Sequence, residues 1–96
     1  MRNKYLVAYD IRDEKRLRKV FIKMRGFGDS IQYSVFLCEL SAKEKAVMVS
    51  ELEEIINHKD DSIIVINLGT AKNESTDRIE LIGKRPLTPE RKALVI

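Results

Sequence analysis

Hydrophobic positions along the chain change period several times, and each change marks an element. Residues 4 to 9, Lys4 to Tyr9, form a short run rich in β-formers that Asp10 closes. An apolar run without alternation predicts a strand buried on both faces. Leu17, Val20, Phe21 and Met24 then recur at i, i+3, i+4 and i+7. This spacing predicts a helix from about Asp13 to Arg25, with Asp13 and Glu14 in the dipole-favoured first turn and Gly26 or Gly28 ending it. From Asp29 to Leu40 the residues Ile31, Tyr33, Val35 and Leu37 alternate with Gln32, Ser34, Phe36 and Cys38. That is strand periodicity, long enough for two short strands or one kinked strand, and no Asn-Gly or Gly-Gly pair places a hairpin in it.

Ser41-Ala42-Lys43-Glu44 has the form of a capping box, so a second helix is expected to start there and run to about Asn57. Its expected buried side is Ala42, Ala46, Val49, Leu52 and Ile56. His58 to Asp61 is a polar turn. Ser62 to Leu68, containing Ile63-Ile64-Val65-Ile66, predicts a second fully apolar strand that belongs at the centre of a sheet and ends at Gly69. Strand, helix, one or two strands, helix, strand is the order of a ferredoxin-like split β-α-β domain, an α+β fold with both helices on one face of an antiparallel sheet. After the polar connector Thr70 to Asp77, Arg78 to Gly83 predicts one more short strand, which must find a free edge. Pro86 and Pro89 interrupt the remainder of the chain, so residues 1–85 are expected to form the domain. Residues 86–96, ending in Ala93-Leu94-Val95-Ile96, are expected to be a docking or flexible tail.

Ninety-six residues suffice for one modest core, which a second copy would help to complete. No apolar run approaches the roughly 18 residues of a membrane span, and Met1 to Lys4 leads into the first strand without a cleavable hydrophobic region. A cytoplasmic protein without membrane contact is expected. One cysteine, Cys38, and one histidine, His58, exclude a disulfide framework and a zinc site of the usual four ligands. The same scarcity argues against a nucleophilic triad, and Gly26-Phe27-Gly28 follows a helix where a nucleotide loop would follow a strand. Net charge is +3, but residues 1–30 carry +5 and residues 41–66 carry −3. A basic N-terminal third points to phosphate ligands.

The chemistry-bearing candidates cluster there. Asp10 ends a buried strand immediately before a helix, where a carboxylate projects from a rigid edge; on spacing alone it, or Asp13, equally serves as the helix cap. A two-fold axis beside it would supply a second carboxylate, and two carboxylates with phosphate oxygens and waters suit Mg²⁺. Around it stand Arg12, Lys15, Arg16, Arg18, Lys19 and Lys23, a lopsided excess over Asp13 and Glu14. Arg16 and Arg18 bracket Leu17, so each guanidinium leaves the core on its own flank to hold a phosphate. Tyr9 and Tyr33 are candidates for stacking on bases, against the commoner role of buried strand tyrosines.

Tyr5 to Ile11, Arg16 to Val20, Gln32 to Phe36 and Ile79 to Gly83, in this order and spacing, resemble the CRISPR-associated protein two family, small adaptation proteins that join the spacer integrase. The resemblance implies a ferredoxin-like homodimer whose last strand crosses to the partner's sheet, and a metal-dependent nuclease acting on single-stranded RNA or double-stranded DNA. In it Asp10 is the catalytic and metal-binding aspartate, with Mg²⁺ or Mn²⁺ as the ion. Arg16 and Arg18 are the phosphate-clamping pair, Phe36 lies near the dimer site, and Pro86 to Ile96 contacts the integrase. Three alternatives are a non-catalytic DNA-spanning scaffold of the integrase complex, a toxin-like messenger-RNA interferase, and a small-molecule regulatory domain, which would leave the helix cations unexplained.

Overall fold

The computed structural model describes residues 1–71 and 79–83. Six elements succeed one another: β1 (Arg2–Asp10), α1 (Glu14–Arg25), β2 (Gly28–Gln32), β3 (Val35–Ser41), α2 (Ala42–Ile55) and β4 (Ser62–Thr70). The strands make one antiparallel sheet in the order β2-β3-β1-β4, the ferredoxin-like arrangement that the order of elements predicts.

Both helices start where the capping chemistry puts them. Asp13 is extended and its carboxylate accepts the Arg16 amide at 3.0 Å, capping α1. Ser41 and Glu44 close the capping box of α2, the Glu44 amide donating to Ser41 Oγ at 3.1 Å and the Ser41 amide to Glu44 Oε1 at 2.9 Å. Along α1, Val20 and Met24 are wholly buried, with Leu17 and Phe21 packed at the rim of the core, as the spacing predicts. Along α2, Leu52 is buried and Val49 and Ile56 pack against the core as expected, but Met48 is also buried and the expected Ala42 and Ala46 are exposed. Alanine favours helix at little cost when solvated, so its presence did not report burial.

Tyr5, Val7 and Tyr9 of β1, and Phe36, Cys38 and Leu40 of β3, meet the helix residues in one core. Their alternates turn to the other side of the sheet. There the register sets Leu6 between Leu37 and Ile66, and Ala8 between Val35 and Ile64. None of these six is buried. Two expectations are corrected at once: β1 is covered on one face only, and β4 lies at an edge of the sheet instead of its centre. The apolar run of β4 nevertheless has a cause, since Ile63 and Val65 pack on the core while Ile64 and Ile66, 58% and 44% exposed, belong to the bare face. β4 also continues past Gly69 to Thr70. A bulge at Leu68 lets it do so, with Gly69 at φ 106°, where a residue with a Cβ is strained.

The alternating stretch from Asp29 resolves into a hairpin, β2 and β3 joined by Tyr33 and Ser34. Among the described residues no non-glycine residue has positive φ, so the primed turns common in two-residue hairpins are excluded, and a bulge between Ser30 and Gln32 accompanies the turn. Gly28 permits the close approach of β2: a Cβ there would collide with the Leu37 carbonyl oxygen and lie 2.6 Å from Cys38 Sγ.

Residues 79–83 form no strand within the single chain, and Leu81 and Ile82 are 42% and 96% exposed. A strand exists only against a neighbour's ladder, and within one copy these residues have none. The expected tail at residues 86–96 and most of the polar connector lie outside the described residues.

Candidate functional site

The end of β1 organises the candidate site. Asp10 pairs with Ser62, the first residue of β4, and its side chain is 66% exposed. By the two-residue period of the strand it lies on the side of Leu6 and Ala8, the bare face. Asp13, not Asp10, caps α1. Asp10 touches one cation, Arg12, whose Nη2 lies 3.5 Å from its Oδ2.

The loop bearing Arg12 is held from below by Asp61, a residue that sequence reasoning passed over as part of a polar turn. The Asp61 side chain is fully buried and accepts four hydrogen bonds. Arg16 donates through Nε at 2.7 Å and Nη2 at 3.2 Å, and the amides of Arg12 and Asn57 each donate at 2.9 Å. The Arg16 guanidinium and then the two amides hold the carboxyl well below the usual carboxylate range, against burial, which acts the other way. The signal was present in the topology. β4 runs antiparallel to β1, so the residue before β4 must arrive beside the end of β1.

This pairing sorts the cations of α1 into two flanks. On the flank towards α2 and β4, Arg16 is engaged by Asp61 and Lys23 by Glu51 at 3.2 Å. Lys15, Arg18 and Lys19 are exposed and have no acidic partner among the described residues. The candidate phosphate ligands Arg12, Lys15, Arg18 and Lys19 therefore stand in solvent within a few residues of Asp10, and Arg16 is committed to the loop that supports them.

Two candidates lie in the core. Tyr9 is 6% exposed, with its ring stacked on Phe36 at 6.3 Å, so it belongs to the core and offers no face to a base. Burial, and secondarily Tyr33, pushes its phenol up to about 12, leaving it a protonated donor; its hydroxyl lies 3.4 Å from the Tyr33 carbonyl oxygen. Phe36 is wholly buried on the helix side, and its neighbours Val35 and Leu37 are the residues that reach the bare face. Neither His58 nor Cys38 joins the site: His58 Nε2 lies 3.2 Å from the Glu53 carbonyl in an exposed turn, and Cys38 is buried beneath β2.

Among the described residues no three His, Cys, Asp or Glu side chains converge. Asp10 offers one hard, exposed oxygen donor at the end of β1. That matches Mg²⁺, which takes one or two carboxylates and keeps waters or phosphate oxygens in its other positions, and it does not match zinc.

No helix among the described residues is long and apolar enough to cross a membrane. The family model for CRISPR associated protein Cas2 matches residues 3–76. A CRISPR-associated endoribonuclease Cas2 of Rhodospirillum rubrum is 41% identical over 92 residues, covering 96% of this chain and 89% of that protein. A CRISPR-associated endoribonuclease Cas2 of Geobacter sulfurreducens is 39% identical over 84 residues, covering 88% of this chain and 87% of that one. The crystal structure of Streptococcus pyogenes Cas2 superposes with a TM-score of 0.74 at 35% identity, covering 83% of this chain and 99% of that chain. With the family model matching residues 3–76, relatives at 39–41% identity over most of the chain and a shared fold, the chain belongs to the CRISPR-associated Cas2 family.

Proposed function

We propose that the protein is a metal-dependent endoribonuclease of CRISPR adaptation, working as a homodimer in which Asp10 of each copy contributes to one shared site. The observation that carries this reading is the position of Asp10, exposed at the end of β1 on the bare side of the sheet and free of any capping duty. Leu6, Ala8, Val35, Leu37, Ile64 and Ile66 make that side apolar, and an apolar sheet face is stable only when covered. A second copy related by a two-fold axis covers it and brings a second Asp10 towards the first. Residues 79–83, exposed and without a ladder in one copy, suit the edge of the partner's sheet.

The two Asp10 carboxylates would hold Mg²⁺ or Mn²⁺, which when bound activates water at neutral pH and polarises a phosphate. The protein's own residues bind and orient. Arg12 screens the Asp10 charge, and Arg18, Lys15 and Lys19 neutralise the phosphates of the bound strand. The commitment of Arg16 to Asp61 favours Arg18 as the member of the arginine pair that meets substrate. Association with the spacer integrase, and a role in acquiring spacers, rest on family membership.

The reading is tested by incubating purified protein with labelled single-stranded RNA and duplex DNA, with Mg²⁺ or Mn²⁺ and with a chelator. RNA cleavage that requires the ion is the expected result. Cleavage undiminished by chelator removes the metal from the proposal. Binding of duplex without cutting either substrate would instead support the scaffold reading, with affinity independent of sequence and falling steeply with salt.

The dimer has its own test. Ile64→Asp places a charge on the bare face, at its β4 edge, without touching the core beneath it. It is expected to convert a dimer to a monomer at micromolar concentration in light scattering, since a buried unpaired charge costs more than a modest interface supplies. RNA cleavage should fall with it. A variant that remains dimeric would place the two-fold axis elsewhere.

A further inference from the structure

The chain has six aromatic rings, and the structure treats one of them differently. Tyr5, Tyr9 and Phe36 are buried, Phe21 and Phe27 are half-buried, and Tyr33 is 73% exposed. An exposed ring usually turns freely on its chain. The Tyr33 ring is held: it stacks on Phe21 with centroids 6.3 Å apart and planes 22° from parallel. Its backbone is held too, because the Tyr9 amide donates to the Ser34 carbonyl at 3.1 Å, tying the hairpin turn to the end of β1. The result is an aromatic face fixed from behind and open to solvent in front.

The surroundings are cationic. Lys15, Arg18, Ile22 and Arg25 succeed one another at i, i+3, i+7 and i+10, so they share one flank of α1, and all four are exposed. The Arg25 guanidinium carbon lies 6.0 Å from the centroid of Phe21, the ring on which Tyr33 stacks. The hairpin turn lies at the same end of the sheet as Asp10, since Tyr9 precedes Asp10 and carries the hydrogen bond to Ser34. The Phe21 contact places the ring on the helix side of the sheet, away from the bare face that a second copy would cover.

We propose that Tyr33 stacks on an unpaired base of single-stranded nucleic acid, with Arg18 and Arg25 holding the flanking phosphates, and that this contact makes the protein prefer single strands to duplexes. The proposal deepens the nuclease reading and rests on it for the nature of the substrate. A ring held against an aromatic neighbour that itself carries a guanidinium, on a helix whose flank is cationic, has the two components that single-strand binding needs: a stacking platform and a charged track for the backbone. In a duplex the bases are already stacked and paired, so the ring has nothing to receive. The phosphates still meet the same cations. Discrimination between the two forms therefore lies in the ring and general affinity in the cations.

The chain contains no tryptophan, so Tyr33→Trp introduces a single indole reporter. Fluorescence titration with a twelve-nucleotide RNA, in chelator so that the probe is not consumed, is expected to quench that indole strongly, and the matching duplex is expected to leave it nearly unchanged. In parallel, Tyr33→Ala should weaken single-strand binding about tenfold with duplex affinity unaltered, and Tyr33→Phe, which keeps the ring, should bind as wild type. An equal loss for both nucleic acids, or no loss for either, overturns the proposal by making Tyr33 a cover for Phe21 and nothing more. Wild-type protein that binds the RNA but never cuts it, while the Tyr33→Trp indole is quenched, refutes the cleavage reading alone. Protein that binds neither probe refutes both.

Discussion

Asp10→Ala is expected to lower metal-dependent RNA cleavage about a thousandfold or more while leaving thermal stability and the dimer unchanged. Losing a metal ligand removes several kcal/mol of transition-state stabilisation, which corresponds to that factor in rate. The folded state loses little. Asp10 is two-thirds exposed, does not cap α1, and makes one exposed ion pair with Arg12 at 3.5 Å, a type worth about 0–1 kcal/mol. Mixed dimers give the sharper result. If the two carboxylates serve one ion, protein refolded from equal amounts of wild type and variant keeps about a quarter of the activity, because only dimers with two intact copies work; copies acting alone keep about half. Asp10→Ala protein that cuts at the wild-type rate would remove Asp10 from the catalytic machinery and overturn the shared-metal reading.

The range of each interaction decided whether the sequence disclosed it or concealed it. The capping residues Asp13, Ser41 and Glu44 act within four positions, so they could be read directly, and so could the α1 stripe from Leu17 to Met24. β4 misled because an unbroken apolar run reads as burial on both faces, whereas strand order in one chain puts it at the edge with Ile64 and Ile66 exposed. The hairpin escaped because its turn is Tyr33-Ser34, neither of them a usual turn residue, with the accompanying bulge carried by Ile31. Choosing between the two tyrosines required knowing on which side of the sheet each ring falls. Tyr9 points to the helices and is buried. Tyr33, in the turn, escapes the strand's alternation and stays outside. Asp10 was legible as a strand-end carboxylate, but its freedom to act depends on Asp13 taking the cap and on Asp61 holding the next loop, and the second of these is a contact between residues far apart in sequence.

Asp61 carries the largest expected effect on folding. Its carboxylate is buried, acts only as an acceptor, and receives four donors from three segments: the loop after β1, the first turn of α1 and the end of α2. Asp61→Ala leaves the Arg16 guanidinium and two backbone amides without their partner, and a fall in Tm of about 10 °C or more is expected. Asp61→Asn should be nearly as harmful despite its matching shape, because its amide group sets a donor against donors. Removing both partners, as in Asp61→Ala with Arg16→Met, should cost less than the two single changes added together, since no buried charge is then left alone. The pH dependence has a definite sign. The folded-state carboxyl titrates below the unfolded value of about 3.9, so its stabilisation is complete above that pH and is lost as pH falls towards the folded value. The gap in Tm between wild type and Asp61→Asn should therefore be widest near pH 7 and shrink below about pH 4. A gap that stays constant from pH 7 to pH 3 would mean that packing, not the ionised pair, joins the three segments. The loop carrying Arg12 beside Asp10 would then need another anchor.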